Sequence, residues 1–415
     1  NQAAIDQLSE VADAIITYNR DIYNRTDDSV IFSSNGKNRM IRRSRGFVPS
    51  PIHLNQTVNG IFAAGAELVN CFCVGKDKQA IMSQHIGDLK NIESLDFYTE
   101  SINRFKKLFR VEPELFVHDL HPDYLSTKYV KSIGGKTIGV QHHHAHIASC
   151  MAEHKLDEQV IGISLDGVGY GTDRHIWGSE FLLCDLADFE RYTHFEYIPQ
   201  PGGDQATEYP WRMALSYLYK YLDKETLSLD IPFMHSIQGE NIDLIIKAID
   251  LGINTPLTSS AGRLFDSVSA LIGLCTHSSF HAEAPMRLES VIDHNLKDHY
   301  PFTIEKSIRF RELFLEMIRD IQKGKPVSYI SARFHNTIIN VIFAVADRIR
   351  KDTGIKSVVL SGGTFQNRYL LSGTEKLLDK HGFKVFAQQR VPSNDGGIAL
   401  GQLLIGARRR KLGTS

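Results

Sequence analysis

Gln141-His142-His143-His144-Ala145-His146 places four imidazoles within five positions. His142 and His146 stand four apart, so on a helix their rings lie on one face, a spacing that holds a divalent metal from a single turn. Apolar Ile138, Val140, Ile147 and Ala148 flank the run, which ties it to a folded segment and not to a solvated tract. About twenty residues on, the apolar run Val160 to Leu165 reads as a strand ending at Asp166-Gly167, with a turn over Gly169 to Asp173. A second carboxylate, Asp395, lies in Pro392-Ser393-Asn394-Asp395-Gly396-Gly397, just before a final helix. Two histidines with two carboxylates form a mixed nitrogen and oxygen set, which suits iron(II), manganese or zinc better than calcium or magnesium. His142, His146 and Asp166 are the candidate catalytic groups, and with Asp395 the candidate metal ligands. Asp-Gly is also a favoured turn pair and Asp395 also an ordinary helix-cap position, so each keeps a structural alternative.

A second set points to a nucleotide. Ser357-Val358-Val359-Leu360 has the character of a buried parallel strand and breaks into Ser361-Gly362-Gly363-Thr364-Phe365-Gln366-Asn367 before a helix. Strand, glycine pair, helix is a geometry in which backbone and phosphate approach closely. Asp266 is expected near the start of a helix through Leu274, where its carboxylate faces a ligand or simply suits the helix dipole. Ile61 to Val74 reads as strand, glycine turn, strand, a turn whose amides either cradle a phosphate or close an ordinary hairpin. With Gly362, Gly363, Asn367 and Asp266 set beside the metal ligands, the residues lead to metal-assisted phosphoryl or acyl chemistry with a nucleotide.

These side chains need a scaffold. A helical period covers residues 1–18, a strand lies around Val30 to Phe32, Ser34 to Asn38 turns a hairpin, and Arg42 to Gly46 reads as a basic linker. Residues 91–109 suit an amphipathic helix, Leu115 to Asp119 a buried strand, and Thr137 to Val140 a strand leading into the histidine helix. Ile176 to Leu183 returns beside the Asp166 strand, a largely helical region runs over 201–320, and a long helix spans 327–351. Arg408 to Lys411 reads as a solvated basic tail. Two halves, about 60–200 and 325–408, have the look of related lobes.

With 415 residues the chain is too long for one ordinary core. Its net charge of −1, from 47 Lys and Arg against 48 Asp and Glu, provides no global field for nucleic acid or a membrane surface. No run reaches membrane-spanning length, and Asn1 to Asp6 has no leader character, so a cytoplasmic location is expected. The five cysteines, Cys71, Cys73, Cys150, Cys184 and Cys275, are odd in number and scattered, and read as reduced, mostly buried thiols.

Longer strings carry a resemblance. Gly65-Ala66-Glu67-Leu68, Ser83 to Leu89, His118-Asp119-Leu120-His121-Pro122-Asp123-Tyr124, the Gln141 to His146 cluster and Asp166 to Asp173 resemble the C-terminal part of the HypF family. Pro201 to Asp204, Pro210-Trp211-Arg212, Gly262 to Asp266 and Asn394 to Gly397 extend the match over nearly the whole chain. HypF proteins are the carbamoyltransferases of nickel–iron hydrogenase maturation. The resemblance implies an α/β, actin-like (ASKHA) two-lobed fold with mixed sheets and flanking helices, preceded by a short YrdC-like remnant. It implies that residues 1–50 are the tail of a YrdC-like domain, 51–200 a first lobe with the histidines, 201–325 a helical insertion contacting nucleotide, and 326–415 a second lobe. It further implies transfer of a carbamoyl group from carbamoyl adenylate, made from carbamoyl phosphate and ATP, to the C-terminal cysteine of a HypE-like partner. His142, His146, Asp166 and Asp395 would hold the metal, with iron favoured, and Asp266, Gly362, Gly363 and Asn367 would contact the nucleotide. The acylphosphatase domain, the zinc-finger modules and most of the YrdC-like domain lie outside the match, so this stretch is expected to transfer carbamoyl adenylate and not to make it. Other readings are an O-carbamoyltransferase acting on a small-molecule hydroxyl and a non-catalytic HypE-docking module. Two departures bear on phosphate contacts: Val69 stands where the family usually has Lys, and Phe280-His281-Ala282-Glu283-Ala284-Pro285 where it usually has Tyr-Glu-Gly-Gln-Ala-Ala.

Overall fold

The computed structural model describes residues 1–20 and 22–414. Apart from two short hairpins, its strands form two mixed sheets. The first has six strands in the order Ile52–His53, Gln79–Met82, Cys73–Lys76, Ile61–Ala63, Leu115–Asp119 and Lys136–Val140. Its first three pairings are antiparallel, and those of Leu115–Asp119 with Ile61–Ala63 and Lys136–Val140 are parallel. The second sheet is built on Val160–Tyr170, antiparallel to Ile176–Cys184 and parallel to Ser357–Ser361. Val160 to Leu165 and the whole of Ser357–Ser361 are buried, which is why both read as continuous apolar runs without alternation.

Two helices join the sheets. The histidine helix, His142–His154, is buried at every position from His142 to Ala152. Gln141 starts it: its side-chain oxygen accepts the His144 N–H, and Lys155 ends it in a left-handed conformation. The C-terminal helix, Ile398–Leu412, crosses it so closely that a Cβ on Gly401 would lie 1.9 Å from the Ala145 carbonyl oxygen. The same helix reaches the first sheet, where a Cβ on Gly406 would lie 2.5 Å from Val117. The chain therefore returns from the second sheet to the first at its end.

Several sequence expectations are corrected. The first sheet ends at Val140 and the second begins at Val160, so the lobes divide between those strands and not at residue 200. Residues 160–200 join the later strands because Ser357–Ser361 needs Val160–Tyr170 as its parallel neighbour. The helix expected over 1–18 spans only Gln2–Leu8 and buries none of its residues. Periodicity without a partner face does not sustain a longer helix in water. The region over 201–320 is largely helical, as expected, but Leu257–Thr258 inside it joins the second sheet between Ile176–Cys184 and Ile198–Pro199.

Arg42 to Gly46 is not a linker. The hairpin Val30–Ser34/Lys37–Arg42 packs against the second lobe, and the Arg43 side chain is buried, donating to the carbonyls of Phe47 and Ser50. Arg39, buried in that hairpin, donates to the Gln388 carbonyl and pairs with buried Glu375. Arg39→Ala is expected to lower unfolding free energy by about 3 kcal/mol, measured by urea denaturation, because Glu375 would keep its charge in a buried setting with only the more distant Lys37 to answer it.

Candidate metal centre

The four expected ligands come together. One donor atom from each of His142, His146, Asp166 and Asp395 lies within 4.8 Å of all the others. His146 Nε2 is 2.8 Å from Asp166 Oδ2 and 3.5 Å from Asp395 Oδ1. His142 Nε2 stands 3.4 Å and 3.6 Å from the same two oxygens and makes no hydrogen bond. Metal–ligand distances of about 2.0–2.2 Å place neighbouring ligand atoms roughly 2.8–3.6 Å apart in octahedral to tetrahedral geometry. The donor set therefore fits a first-row divalent ion in both chemistry and spacing.

Each ligand is aimed by its surroundings. Asp166 Oδ1 accepts the amides of Gly167 at 2.8 Å and Gly363 at 3.2 Å, which turns Oδ2 toward the imidazoles. The Asp166 strand does not stop at Asp166 as expected but runs on to Tyr170 over the start of the histidine helix. A Cβ on Gly169 would sit 2.5 Å from the His143 ring, so the strand passes there only as glycine. Asp395 is not the helix cap. Asn394 takes that part, its side-chain oxygen accepting the Gly396 N–H, and leaves the Asp395 carboxylate to face the histidines.

Asp119 is the residue that sequence reasoning left without a role. Its Oδ2 lies 2.8 Å from His142 Nδ1 and its Oδ1 accepts the His121 amide, and neither Asp119 nor His142 has exposed side-chain surface. A carboxylate holding one imidazole nitrogen fixes the ring and frees the other nitrogen as a metal ligand. Its place at the end of the Leu115–Asp119 strand, within His118-Asp119-Leu120-His121, was the available signal.

The electrostatics follow from burial and charge. Burial would lower the His142 pKa, yet Asp119 and Asp395 raise it well above the usual imidazole value; against the same burial, Asp166 raises buried His146. Burial pushes the Asp166 carboxyl up, and His146 and His142 bring it well below the ordinary range. With neutral histidines the cluster carries two uncompensated carboxylates, a charge that one divalent cation balances.

His143 and His144 have different duties. Gln141 Oε1 is committed to the His144 amide, so its Nε2 faces His143 Nδ1 at 3.1 Å, and the His143 proton falls on Nε2, which is buried without a protein partner. His144 Nε2 bonds the Asp185 carbonyl at 2.7 Å and is structural. Burial lowers both His144 and His335 from 6.5 to about 4. Below pH 6.5 these two rings take up protons in the unfolded chain that the folded chain refuses, so their contribution to stability is full above that value and falls as pH drops toward about 4. Urea midpoints across this range are expected to decline on acidification, and less steeply in His144→Gln.

The nucleotide candidates divide. Gly362 adopts φ +102°, and a Cβ there would lie 2.2 Å from the Leu165 carbonyl, so glycine is required for the loop to lie on the Asp166 strand. Gly363 follows with its amide on Asp166. Asn367 caps helix Arg368–Lys380, its Oδ1 accepting the Leu370 amide, and its Nδ2 donates to His335 Nε2 at 2.9 Å. Asp266 sits in the middle of helix Ala261–Leu271, not near its start, and is buried against Arg263 Nε at 2.7 Å. Ser260 supplies the cap that the sequence pattern placed too late. In the Gly65 turn the Gly65 amide is taken by the Gln402 side chain and the Asn70 amide by the Gly87 carbonyl, so those two amides are spent on other segments of the protein. Val69 there has φ +50°, a strained value for a β-branched residue. The other departure forms a bend into helix Glu283–Ser290, with buried Glu283 accepting from the Ser279 amide and hydroxyl.

Comparison with known proteins adds to this geometry. Residues 56–153 match the family described as HypF Kae1-like domain, and residues 162–402 the family described as Carbamoyltransferase, Kae1-like Domain, second subdomain. The chain is 36% identical to carbamoyltransferase HypF of Synechocystis sp., over 99% of this chain and 55% of that protein. A "HypF homolog" of Cupriavidus necator is 30% identical over 84% of this chain and 92% of its own length. A crystal structure of full-length HypF in the phosphate- and nucleotide-bound form superposes with a TM-score of 0.94 at 47% identity, covering 99% of this chain and 65% of that one. The chain spans about half the length of the first curated relatives it matches. The two sheets with their flanking helices are thus the actin-like fold expected from the sequence, divided near residue 155 in the families as in the structure.

Proposed function

Because the chain belongs to the HypF carbamoyltransferase family, we propose that it passes a carbamoyl group from carbamoyl adenylate to the C-terminal cysteine of a HypE-like partner. The observation that carries this reading is the buried two-histidine, two-carboxylate cluster held by Asp119 and set beside the Gly362-Gly363 loop. His142, His146, Asp166 and Asp395 hold a divalent cation, iron favoured with zinc or manganese as alternatives, which when bound supplies Lewis acidity at the carbamoyl oxygen. His143, neutral and with its Nε2 proton unspent, donates a hydrogen bond to the substrate. Gly362 and Gly363 let the adenylate phosphate approach the backbone. Asn367 starts the helix behind that loop, and Asp266 acts on the nucleotide through Arg263, whose guanidinium it holds.

In the transfer the partner's thiolate sulfur attacks the carbamoyl carbon, a sulfur–carbon bond forms, and the carbon–oxygen bond to phosphate breaks. AMP leaves with the electron pair. Carbamoyl phosphate and ATP enter one step earlier, where the adenylate is made. The reading places this chemistry in the cytoplasm, in keeping with five buried cysteines that form no disulfide. No helix among the described residues is long and apolar enough to cross a membrane. The test supplies carbamoyl adenylate and a HypE-like protein and records intact mass. One carbamoyl group should be gained by the partner's terminal cysteine, and a partner left unmodified by folded, metal-loaded chain would refute the reading.

A further inference from the structure

On the side of the molecule where the histidine helix and the C-terminal helix both end, a cavity of about 470 Å³ remains open. This volume is in the range of small-molecule sites. Its walls include Leu54, Met151, Leu156 and Leu404, and Lys155, Arg408, Arg410 and Lys411 also line it. Asp157 is the sole carboxylate in that lining and is already paired with Arg408. Among the described residues Lys155, Arg410 and Lys411 have no ion-pair partner, and the buried Arg408 Nε has no hydrogen-bond partner. The excess is local, because the whole chain carries a net charge of only −1.

The basic residues expected to form a solvated tail are therefore partly structural. Arg409 donates to the Ala187 and Gly139 carbonyls and pins the helix end to the body, and Arg410 donates to the Asn59 carbonyl. Compensation of the helix dipole accounts for cations in a last turn. It does not account for an unfilled apolar floor beneath them. We propose that this cavity binds a small amphipathic anion, an apolar body seated on Leu156 and the exposed edges of Leu54 and Leu404 with an anionic head at Lys155, Arg408 and Lys411, and that binding is coupled to the metal end of the two helices.

The coupling has a physical route and rests on the metal reading given above. The histidine helix carries His142 and His146 in its first turns, and Asp395 immediately precedes the C-terminal helix. The helices touch backbone to backbone at Gly401, so a ligand wedged between their far ends acts on the pair that positions the ligand set.

The test uses the full chain and the fluorescent probe anilinonaphthalene sulfonate, an aromatic body with one anionic group. One saturable site, displaced by decanoate, is expected. Ala407→Trp, which fills the cavity, should weaken the probe about tenfold or more, and the double change Lys155→Asn with Lys411→Ser should do so about tenfold with the fold unaltered. Probe affinity unchanged in the double variant, or a signal that never saturates, overturns the site, and so does a longer family member that fails to bind because polypeptide covers the groove. Should Ala407→Trp fail to fold, the double variant still decides. In a second arm, zinc affinity is measured with and without saturating decanoate. A shift of about threefold or more is expected, and equal affinities overturn the coupling. Absence of any zinc binding overturns the metal reading and the coupling with it, while the probe titration still decides the cavity.

Discussion

His146→Ala is expected to lose its metal and its carbamoyl transfer together. The imidazole contributes Nε2, the ligand atom 2.8 Å from Asp166 and 3.5 Å from Asp395, and alanine puts nothing in its place. Three donors remain, and two carboxylates then face each other with less positive charge between them. Metal affinity should fall at least about a hundredfold and transfer about a thousandfold or more, since in the proposed reaction the cation's task is to stabilise charge at the acyl oxygen, commonly the largest single contribution to such catalysis. The fold should survive, because the ring's other nitrogen has no hydrogen-bond partner to lose. Metal content by mass spectrometry, thermal midpoint and the mass of the partner cysteine read the three consequences separately. Equal metal content in variant and parent would remove His146 from the ligand set.

Asp119→Asn should weaken metal binding by about 10–100-fold although residue 119 is not itself a ligand. The asparagine still offers an oxygen to the His121 amide, so the local turn is retained. What changes is the pairing with His142 Nδ1. If the amide NH₂ takes the place of Oδ2, Nδ1 becomes the acceptor and the ring proton moves to Nε2, the atom whose lone pair must face the metal. A merely structural role would shift the thermal midpoint and leave zinc affinity intact. The positioning role does the reverse, and Asp119→Glu should recover part of the loss.

The parts of the site that lay within one segment were legible from the residues alone. His142 and His146 follow from spacing on one helix turn, and the Gly362-Gly363 break follows from its position after an apolar strand. What was not legible is what depends on contacts between distant segments. Asp119 meets His142 across 23 positions, and its place at a strand end within His118-Asp119-Leu120-His121 does not by itself say which ring it holds. Asp166-Gly167 looked like a turn because that pair favours one; the ladder does break there, with Leu165 opposite Ser179 and Gly169 opposite Trp177, but the strand bulges over Asp166 to Val168 and resumes to Tyr170 instead of turning. Asp266 was expected near a helix start, but the helix begins at the Ser260 cap and already includes Gly262, which packs against Gly167. The apolar period of residues 1–18 is real in the sequence, yet a helix also needs a surface to bury against, and that information is not local.

The central claim is that His142, His146, Asp166 and Asp395 hold one first-row metal ion for acyl transfer. X-ray absorption at the metal edge of iron(II)-loaded chain tests it most directly. The account predicts imidazole scattering and oxygen neighbours at about 2.0–2.2 Å, with the imidazole signal halved in His142→Ala. A shell of oxygens alone, matching iron(II) in buffer, or a sulfur shell at about 2.3 Å from a cysteine, would contradict it.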